Sequence, residues 1–334
     1  MTKVTKTILL WAILLTLLCF LPSSFSAEVY FLENEKIIAF DAENTRAVRS
    51  MSQNGMPSGE RRYLFDWKKA TESTETYFLV SKGANSASSR LGSDAPIGYD
   101  LWLLDDAGAQ RQIAESVYRA KFSPDSRSIV YTTSDCVMRV EYLAGRKTLE
   151  VRGAYDPSWT PDGKSVVFSK VPASKDNHYP ETLHLAIINL NSGWVDLITD
   201  DRFDDCRPEC HPSGNWILFV SGGRSGVASF WKVPIAGGQP VQITNIGLKV
   251  VDDSFVPTPY QKTVWSADGR WFIYDFKKGN IQQIWGLEFD TTGNLIRTLK
   301  LADGLSPQLM EEGRTFVYLK RVGTHIKPMV GKLP

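Results

Sequence analysis

Short apolar triplets alternate with polar reverse-turn segments along most of the chain. The turn pattern is clearest at residues 159–163, which read Trp-Thr-Pro-Asp-Gly, and an apolar triplet begins three residues further on. The turn segments lie at 122–126, 159–163, 210–214, 265–269 and, in a weaker form, 309–313. Their triplets lie at 129–131, 166–168, 217–219, 272–274 and 316–318. A pattern that returns five times in one register predicts a repeated structural unit.

Each unit is predicted to be a β-hairpin. Trp159 ends one strand, Pro161 stops it because proline has no N–H to donate, and Asp162-Gly163 reverses the chain. The triplets that follow are rich in β-branched and aromatic residues, which favour a buried strand. Proline also recurs six residues before the last turn position, at Pro157, Pro208 and Pro307.

The spacing of the units predicts the architecture. The turns end at residues 126, 163, 214, 269 and 313, so successive units are 37 to 55 residues apart. Further apolar runs and Gly turns, as at 230–244, predict a second hairpin in each unit, and four-stranded units of this length are typical of propeller blades. With a degenerate triplet at 77–80, the sequence predicts an all-β fold, a β-propeller of six four-stranded blades. N-terminal strands within 27–62 are expected to complete the last blade and close the ring, which removes exposed sheet edges; seven blades, with Ile37-Ile38 in a unit of its own, is the alternative.

The first residues have the layout of a secretory signal peptide. Lys3 and Lys6 precede an uncharged, mostly apolar run at 8–21, and small residues follow, with Ser24 and Ser26 suited to a cut before Ala27. As a helix the run would reach only about 21 Å, short of the roughly 30 Å of a hydrocarbon core, which argues against an uncleaved anchor. The sequence therefore predicts a signal peptide at 1–26 and a mature domain at 27–334, periplasmic or secreted, with no membrane span after cleavage.

Charge composition narrows the class of partner. The chain has 38 Lys and Arg against 37 Asp and Glu, and 43% of its residues are hydrophobic. A nearly neutral globular chain has no overall field to hold a polyanion, so nucleic-acid binding is not expected.

The repeat resembles the TolB-like propeller family, with its WD40-like PD40 repeats. The resemblance is carried by 157–163 (Pro-Ser-Trp-Thr-Pro-Asp-Gly), 208–214 (Pro-Glu-Cys-His-Pro-Ser-Gly) and 231–244, and it covers about residues 63–334, the propeller part only. The family includes a periplasmic partner of a peptidoglycan-associated lipoprotein, propeller domains of peptidases and sugar-processing lyases. The resemblance implies a six-bladed fold, and fold alone does not dictate function.

Acidic residues cluster in the loops that enter the first strand of several units. In a propeller such loops gather at one mouth of the central channel, where carboxylates would bind a cation or the basic groups of a partner. The alternative is that these Asp residues cap turns and stay solvated. The channel-mouth candidates are Glu115, Tyr155, Asp156, Asp204, Asp205, Asp252 and Asp253.

Catalytic residue types do not cluster. The four histidines are scattered, and 222–226 (Gly-Gly-Arg-Ser-Gly) has the wrong spacing for a nucleophile elbow. No catalytic residue, metal or cofactor is predicted. The sequence favours an exported, monomeric, non-catalytic module that binds a protein or peptide partner in the cell envelope. The alternative is a carbohydrate-active enzyme, lyase- or hydrolase-like, that uses the acidic channel mouth.

Three cysteines remain after the predicted cleavage, namely Cys136, Cys206 and Cys210. In an extended strand the Cα atoms of Cys206 and Cys210 would be about 13 Å apart, beyond disulfide reach. Buried thiols are therefore favoured, and a Cys206–Cys210 disulfide is expected only if the chain curls before Pro208.

Overall fold

A computed structural model describes twelve segments of the chain. They are residues 28–33, 36–42, 44–52, 63–69, 76–84, 99–145, 148–171, 182–244, 263–278, 281–310, 313–323 and 325–334. The described residues form 25 β-strands and no helix, which confirms the all-β prediction. The predicted signal peptide at 1–26, Asp252, Asp253 and most of the loops at 50–62 and 82–98 lie outside the described residues.

All the described strands pair antiparallel, and the order in each sheet follows the chain. The N-terminal sheet contains β1 (Glu28–Glu33), β2 (Lys36–Asp41) and β3 (Arg46–Ser52). A seven-stranded sheet contains β4 (Tyr63–Lys69), β5 (Thr76–Ala84), β6 (Tyr99–Asp105), β7 (Gln110–Phe122), β8 (Ser128–Thr133), β9 (Val137–Tyr142) and β10 (Thr148–Arg152).

Three four-stranded sheets and one of three strands follow. The first contains β11 (Ala154–Trp159), β12 (Ser165–Lys170), β13 (His184–Asn189) and β14 (Val195–Leu197). The second contains β15 (Asp205–Cys210), β16 (Trp216–Ser221), β17 (Ser229–Pro234) and β18 (Val241–Gln242). The third contains β19 (Thr263–Trp265), β20 (Trp271–Lys278), β21 (Ile281–Phe289) and β22 (Leu295–Asp303). The last sheet contains β23 (Leu305–Leu309), β24 (Thr315–Val322) and β25 (His325–Lys332).

The seven-stranded sheet consists of two repeat units that share one long strand. β7 is 13 residues long; its N-terminal part pairs with β6 and its C-terminal part with β8. The predicted degenerate triplet lies in β5, where Phe78, Leu79 and Val80 are buried. This strand therefore has the same place in its unit as the clearer triplets have in theirs.

The five predicted hairpin turns are confirmed. In each, the N–H of the last turn residue donates to the carbonyl oxygen three residues earlier, as from Gly163 to Thr160 at 2.9 Å. Gly163 has φ +68°, a backbone conformation that glycine adopts without steric cost. The Asp162 carboxylate accepts bonds from the Thr160 hydroxyl (2.7 Å) and the Lys164 N–H (3.1 Å), which closes the turn. All five following triplets are buried.

Turns of consecutive units lie against one another. An added Cβ on Gly163 would lie 3.7 Å from Pro124 of the preceding turn, and one on Gly214 would lie 3.9 Å from Pro161. Gly269 is in contact with His211 in the same way. The turns therefore follow one another side by side at one end of the sheets, as in a radial arrangement of units.

The N-terminal strands form a sheet of their own, whereas we expected them to extend the last blade. Among the described residues, β2, which contains Ile37 and Ile38, pairs with β1 on one side and β3 on the other, and β25 pairs only with β24. Because β3 satisfies the second edge of β2, the N-terminal sheet meets the last sheet through side chains. Val29 and Phe31 pack with Met310 and Val317 in one buried cluster.

Candidate ligand-binding cavity

Three first strands carry the same backbone irregularity. Asp156, Arg207 and Ser306 have φ of +47°, +54° and +53°, and each lies in a β-bulge. Each is followed by one of the recurrent prolines, whose missing N–H suits a place where the ladder is interrupted. Left-handed backbone costs a residue with a Cβ about 1–2 kcal/mol. Strain of this kind repeated at one end of the first strands marks that end as a candidate functional site.

A cavity of about 60 Å³ lies at this end, where the first strands β7, β11, β15 and β19 converge. We call it the central cavity. Its polar lining combines three basic and three acidic side chains with Thr263, and Phe230, Phe272 and Phe276 belong to its apolar wall. The charged residues are Arg119, Lys121, Arg207, Asp156, Glu209 and Asp275.

Ion pairs join the charged residues across neighbouring strands. Arg119 Nε lies 2.9 Å from Asp156 Oδ1, and Lys121 Nζ donates to both Glu209 carboxylate oxygens at 2.8 and 2.9 Å. Their side chains are between 11% and 28% exposed, so the pairs are only partly screened by water. The cavity thus presents both signs of charge within a few ångströms.

Glu209 connects four strands. Besides Lys121 on β7, its carboxylate accepts a bond from the Ser158 hydroxyl on β11 at 3.0 Å and from the Thr263 hydroxyl on β19 at 2.6 Å. A partly buried carboxylate needs such donors to replace the water it has lost. Glu209 therefore ties the first strands of four units together beside the cavity.

Arg207 is the third basic residue that lines the cavity. Burial lowers the pKa of its guanidinium from the ordinary value, against the attraction of Asp156 and Asp275. Asp275 also accepts a bond from the Ser306 N–H at 2.9 Å, which links β20 to the bulge of β23.

Of the seven channel-mouth candidates, Asp156 lies in the central cavity. Tyr155, its neighbour, packs against a buried cluster that includes Cys206; burial and a bond with the Cys136 thiol raise its pKa. Glu115 is exposed on β7. Asp252 and Asp253 lie outside the described residues.

Asp204 and Asp205 are engaged within the chain. Asp205 is fully buried and accepts bonds from Arg224 at 2.7 and 3.2 Å, while Asp201 binds the same guanidinium at 2.6 Å. Burial raises the pKa of Asp205, against the opposing effect of Arg224. Asp204 is exposed, and one of its oxygens accepts the Leu183 N–H at 2.8 Å. These contacts fix the loop before β15.

Cys206 and Cys210 are both free thiols, so the structure has no disulfide between them. The bulge at Arg207 shifts the alternation of side chains. Cys206 therefore packs with Leu218 and Phe230, and Cys210 packs in a different cluster with Val167. Burial raises the pKa of each thiol to about 12.

Two histidines lie in the described core and turns. His184 is fully buried in β13, and His211 lies in the turn between β15 and β16. Within the described residues, no three His, Cys, Asp or Glu side chains are grouped closely enough to hold a metal ion. The same part of the chain contains no helix with the length and apolarity needed to cross a membrane.

Sequence reasoning missed the basic half of the cavity and its central acid. Arg119 and Lys121 alternate with the buried Tyr118, Ala120 and Phe122 along β7. This alternation indicates a strand with one polar face, but it does not show whether that face lines a channel or the outer surface. Arg207 and Glu209 flank Pro208 just as Asp156 and Ser158 flank Pro157. Because Asp156 was a candidate, this correspondence could have pointed to Arg207 as a residue of the same site.

Comparison with known proteins supports the same fold. TolB from Acinetobacter baumannii superposes with a TM-score of 0.52 at 18% identity, over 91% of this chain and 75% of that one. A putative TolB from Agrobacterium tumefaciens superposes with a TM-score of 0.53 at 16% identity, over 92% of this chain and 97% of that one. The described sheets therefore have a TolB-like fold.

Sequence relatives cover a smaller part of the chain. The Tol-Pal system protein TolB of Francisella tularensis subsp. tularensis (strain WY96-3418) is 30% identical over 88 residues, or 26% of this chain. The corresponding protein of subsp. mediasiatica (strain FSC147) gives the same values. The match spans 19% of the length of these relatives. No family model matches the chain.

Proposed function

We propose that this chain is an exported, non-catalytic β-propeller that binds a protein or peptide partner of the cell envelope at the central cavity. The observation that carries the proposal is the convergence of four first strands on a cavity lined by charges of both signs. The TolB-like fold and the relatives named for the Tol-Pal system support an envelope setting. We further propose that residues 1–26 are a signal peptide, that 27–334 are the mature, monomeric domain, and that the site of action is periplasmic or secreted.

The size of the cavity favours an inserted side chain over a bound sugar. Pockets for small molecules usually enclose about 300–1,000 Å³, whereas the central cavity encloses about 60 Å³. Glu209 already accepts bonds from Lys121, Ser158 and Thr263, which leaves it poorly placed to move a proton for a substrate. A partner's polar side chain would instead exchange bonds with the paired charges.

We also propose that the sheets close into a ring of seven units, with the N-terminal sheet as one of them. Trp67 Nε1 donates to Gln308 Oε1 at 2.7 Å, and Gln308 Nε2 donates to the Tyr30 carbonyl oxygen at 2.9 Å. These bonds join β4, β23 and β1, the first strands of the units on either side of the junction. Tyr30 also packs edge-on against Trp67 and Phe78.

Affinity capture from an envelope extract of the organism tests the binding proposal. The immobilised mature chain is compared with the double variant Asp156→Asn, Arg207→Gln, which removes two cavity charges at once. The matched control is Asp125→Asn, Arg127→Gln, which removes one charge of each sign in an exposed turn at the other end of the strands. Thermal melting establishes that each variant is folded.

The proposal predicts a defined protein that is retained by the wild type and the turn variant and is lost with the cavity variant. Retention of that protein by a folded cavity variant would contradict binding at this site. Turnover of a cell-wall polysaccharide that is abolished by the cavity variant would instead establish the carbohydrate-active alternative.

A further inference from the structure

The three cysteines of the predicted mature domain differ in accessibility. Cys206 and Cys210 are buried, whereas Cys136 is partly exposed. Burial raises the pKa of the Cys206 and Cys210 thiols to about 12, so almost none of either is thiolate at neutral pH. Among the described cysteines, Cys136 is therefore the one from which chemistry with a dissolved molecule is expected. An odd thiol in an exported chain calls for a partner sulfur.

Cys136 lies in the turn between β8 and β9, at a position where this chain mostly uses glycine. Its N–H donates to the Thr133 carbonyl oxygen at 2.9 Å, and its φ is +63°. The same bond and the same left-handed backbone occur at Gly145, Gly163, Gly214, Gly269 and Gly313. A residue with a Cβ is strained at such a φ, so the geometry of the turn does not account for a thiol there.

Three contacts place the Cys136 thiol beside β11. The Cys136 carbonyl oxygen accepts the Ala154 N–H at 3.1 Å, and the Cys136 sulfur is hydrogen-bonded with the Tyr155 hydroxyl. The thiol donates to the Ser134 carbonyl oxygen at 3.9 Å, which leaves its sulfur to accept the Tyr155 O–H. Tyr155 is half-buried and precedes Asp156, which lines the central cavity. The thiol therefore lies next to that cavity.

A second hydroxyl, that of Tyr118 on β7, faces the same group. Tyr118 is 3% exposed, and its hydroxyl has no hydrogen-bond partner among the described residues. Burial raises the pKa of this hydroxyl, and the charged neighbours that act on it include Asp156, Arg119 and Cys136. Because a buried O–H without an acceptor is costly, its position beside the thiol points to a ligand that supplies one.

We propose that Cys136, Tyr118 and Tyr155 form a thiol-exchange site, at which Cys136 takes up a sulfur compound as a mixed disulfide. The Cys136 thiol loses its proton to water, and the thiolate attacks one sulfur of a disulfide R–S–S–R. The bond from Cys136 Sγ to that sulfur forms as the S–S bond breaks, and the other R–S group leaves as a thiolate that takes up a proton. Cys136 is oxidised and the leaving sulfur is reduced, so the step needs no further oxidant.

Each tyrosine has a distinct role at the thiol-exchange site. Tyr155 donates to the Cys136 sulfur and so stabilises the thiolate, because a hydrogen bond to the charged form favours it. Tyr118 donates to a carbonyl or carboxylate oxygen of the R group, which gives the buried hydroxyl its acceptor. Disulfides of small thiols and of proteins share this chemistry, and both persist outside the cytoplasm. The proposed export of the chain supplies the disulfide, whereas the chemistry of the site does not depend on the partner of the central cavity.

Intact-mass spectrometry tests the inference on the purified mature chain. The chain is incubated with oxidised glutathione, once folded and once in urea. We expect one glutathione adduct on the folded chain, mapped to Cys136 by peptide digestion, and three on the unfolded chain, one for each cysteine. The variant Cys136→Ser should take up none when it is folded.

Two tyrosine variants separate a built site from a merely exposed thiol. In glutathione redox buffers, Tyr118→Phe should lower the equilibrium constant for the mixed disulfide about fivefold, which corresponds to one hydrogen bond. Tyr131→Phe is the matched control, because Tyr131 is 4% exposed on the neighbouring β8 and its hydroxyl is bonded to Glu141. It should leave the exchange unchanged, and near-UV circular dichroism establishes that both variants are folded.

No adduct on the folded wild type would overturn the inference, and so would an adduct at Cys206 or Cys210 in place of Cys136. Equal equilibrium constants for Tyr118→Phe and the wild type would reduce Cys136 to an exposed thiol without a site. Because this assay needs no cavity partner, its outcome is separate from that of the capture experiment.

A second measurement identifies the source of the sulfur in cells. Free thiols are blocked with N-ethylmaleimide at lysis, and the chain is compared with and without a reductant. We expect a reducible adduct on the wild type that is absent from Cys136→Ser. A small added mass would identify a low-molecular-weight thiol, and a new high-mass band would identify a protein. A Cys136 thiol that is wholly free in cells would contradict the inference.

Discussion

The Glu209 carboxylate shows how much of this fold depends on single polar residues near its centre. It holds Lys121, Ser158 and Thr263, each from a different sheet or strand. Removal of the carboxylate leaves all three donors without their acceptor, and the cost exceeds that of one lost bond.

We predict that Glu209→Gln lowers the free energy of unfolding by about 2 kcal/mol, because the Lys121 ion pair is lost and one acceptor oxygen becomes a donor. Urea denaturation measures this change. The control is Glu150→Gln, whose carboxylate pairs with Arg139 at 3.2 Å on the surface, with 45% of the Glu150 side chain exposed. Its expected effect is below about 0.5 kcal/mol, and equal effects at the two sites would contradict the role assigned to Glu209.

His211 gives the contact between two turns a dependence on pH. Its Nε2 lies 3.0 Å from the Gly269 carbonyl oxygen, and its Nδ1 accepts the Ser213 N–H at 3.1 Å. The Nε2 bond to a carbonyl requires a proton on Nε2, and acceptance at Nδ1 requires that nitrogen to be unprotonated, so only the neutral ring makes both bonds. Burial, aided by the nearby Lys232 ammonium, lowers the pKa of His211 below its ordinary value.

A histidine with a lowered pKa binds its proton more readily in the unfolded chain, so its stabilising contribution is complete above about pH 6.5 and is lost as the pH falls through the folded pKa. We therefore predict that the melting temperature falls between neutral and mildly acid pH, and that His211→Gln reduces this fall. His325→Gln, at an exposed position of β25, is the control. An unchanged slope in His211→Gln would show that another group carries the pH dependence.

At the scale of elements, the bulges decide which side chains meet. Residues four apart in a regular strand share a face, yet Cys206 and Cys210 pack in different clusters because the bulge at Arg207 lies between them. The same bulges place Asp156 and Arg207 in the central cavity. In three units, one backbone irregularity thus changes which side chains of the first strand face the same way.

Close contacts of glycine with aromatic rings fix the last sheet. A Cβ on Gly331 would lie 2.3 Å from the Phe316 ring, closer than any real contact. We predict that Gly331→Ala destabilises the protein by about 1–3 kcal/mol through overpacking. Gly222→Ala is the control, since a Cβ there meets no atom within 4 Å. Chemical denaturation compares the two, and similar values would rule out the tight packing of β24 against β25.

The sequence predicted the hairpin turns and the buried strands that follow them because both depend on neighbouring residues. Turn residues and apolar triplets act locally, so all five turns and their buried strands could be placed before the structure was known. The bulges were only partly accessible: Pro157, Pro208 and Pro307 marked their positions. Nothing in the sequence indicated that the residue before each proline adopts positive φ.

At the scale of the whole molecule, the sequence predicted less. The contact between the first and last sheets and the lining of the central cavity both depend on residues that are far apart in the chain. Trp67 and Gln308 are 241 positions apart, and no local pattern predicts that they bond. Acidic loops were visible in the sequence, but their partners were not. Arg224 pairs with Asp205, and Lys121 pairs with Glu209, so these described carboxylates lie beside basic groups.

A double-mutant cycle tests closure of the ring. For Trp67→Phe and Gln308→Leu we predict a coupling energy of about 1 kcal/mol in unfolding experiments, the size of one buried hydrogen bond. Trp285→Phe with Gln283→Leu is the matched control, because Trp285 Nε1 donates to Gln283 Oε1 at 3.2 Å within a single strand. Coupling in the control with none across the junction would mean that the ring is open in solution.

Photo-crosslinking in living cells tests whether a partner binds at the central cavity. p-Benzoylphenylalanine replaces Phe276, an aromatic side chain in the cavity wall, or Trp194, which is 74% exposed on the outer turn between β13 and β14. We expect a crosslink to one envelope protein from position 276 and none to that protein from position 194. The same crosslink from both positions, or none from position 276, would contradict a partner bound at the central cavity.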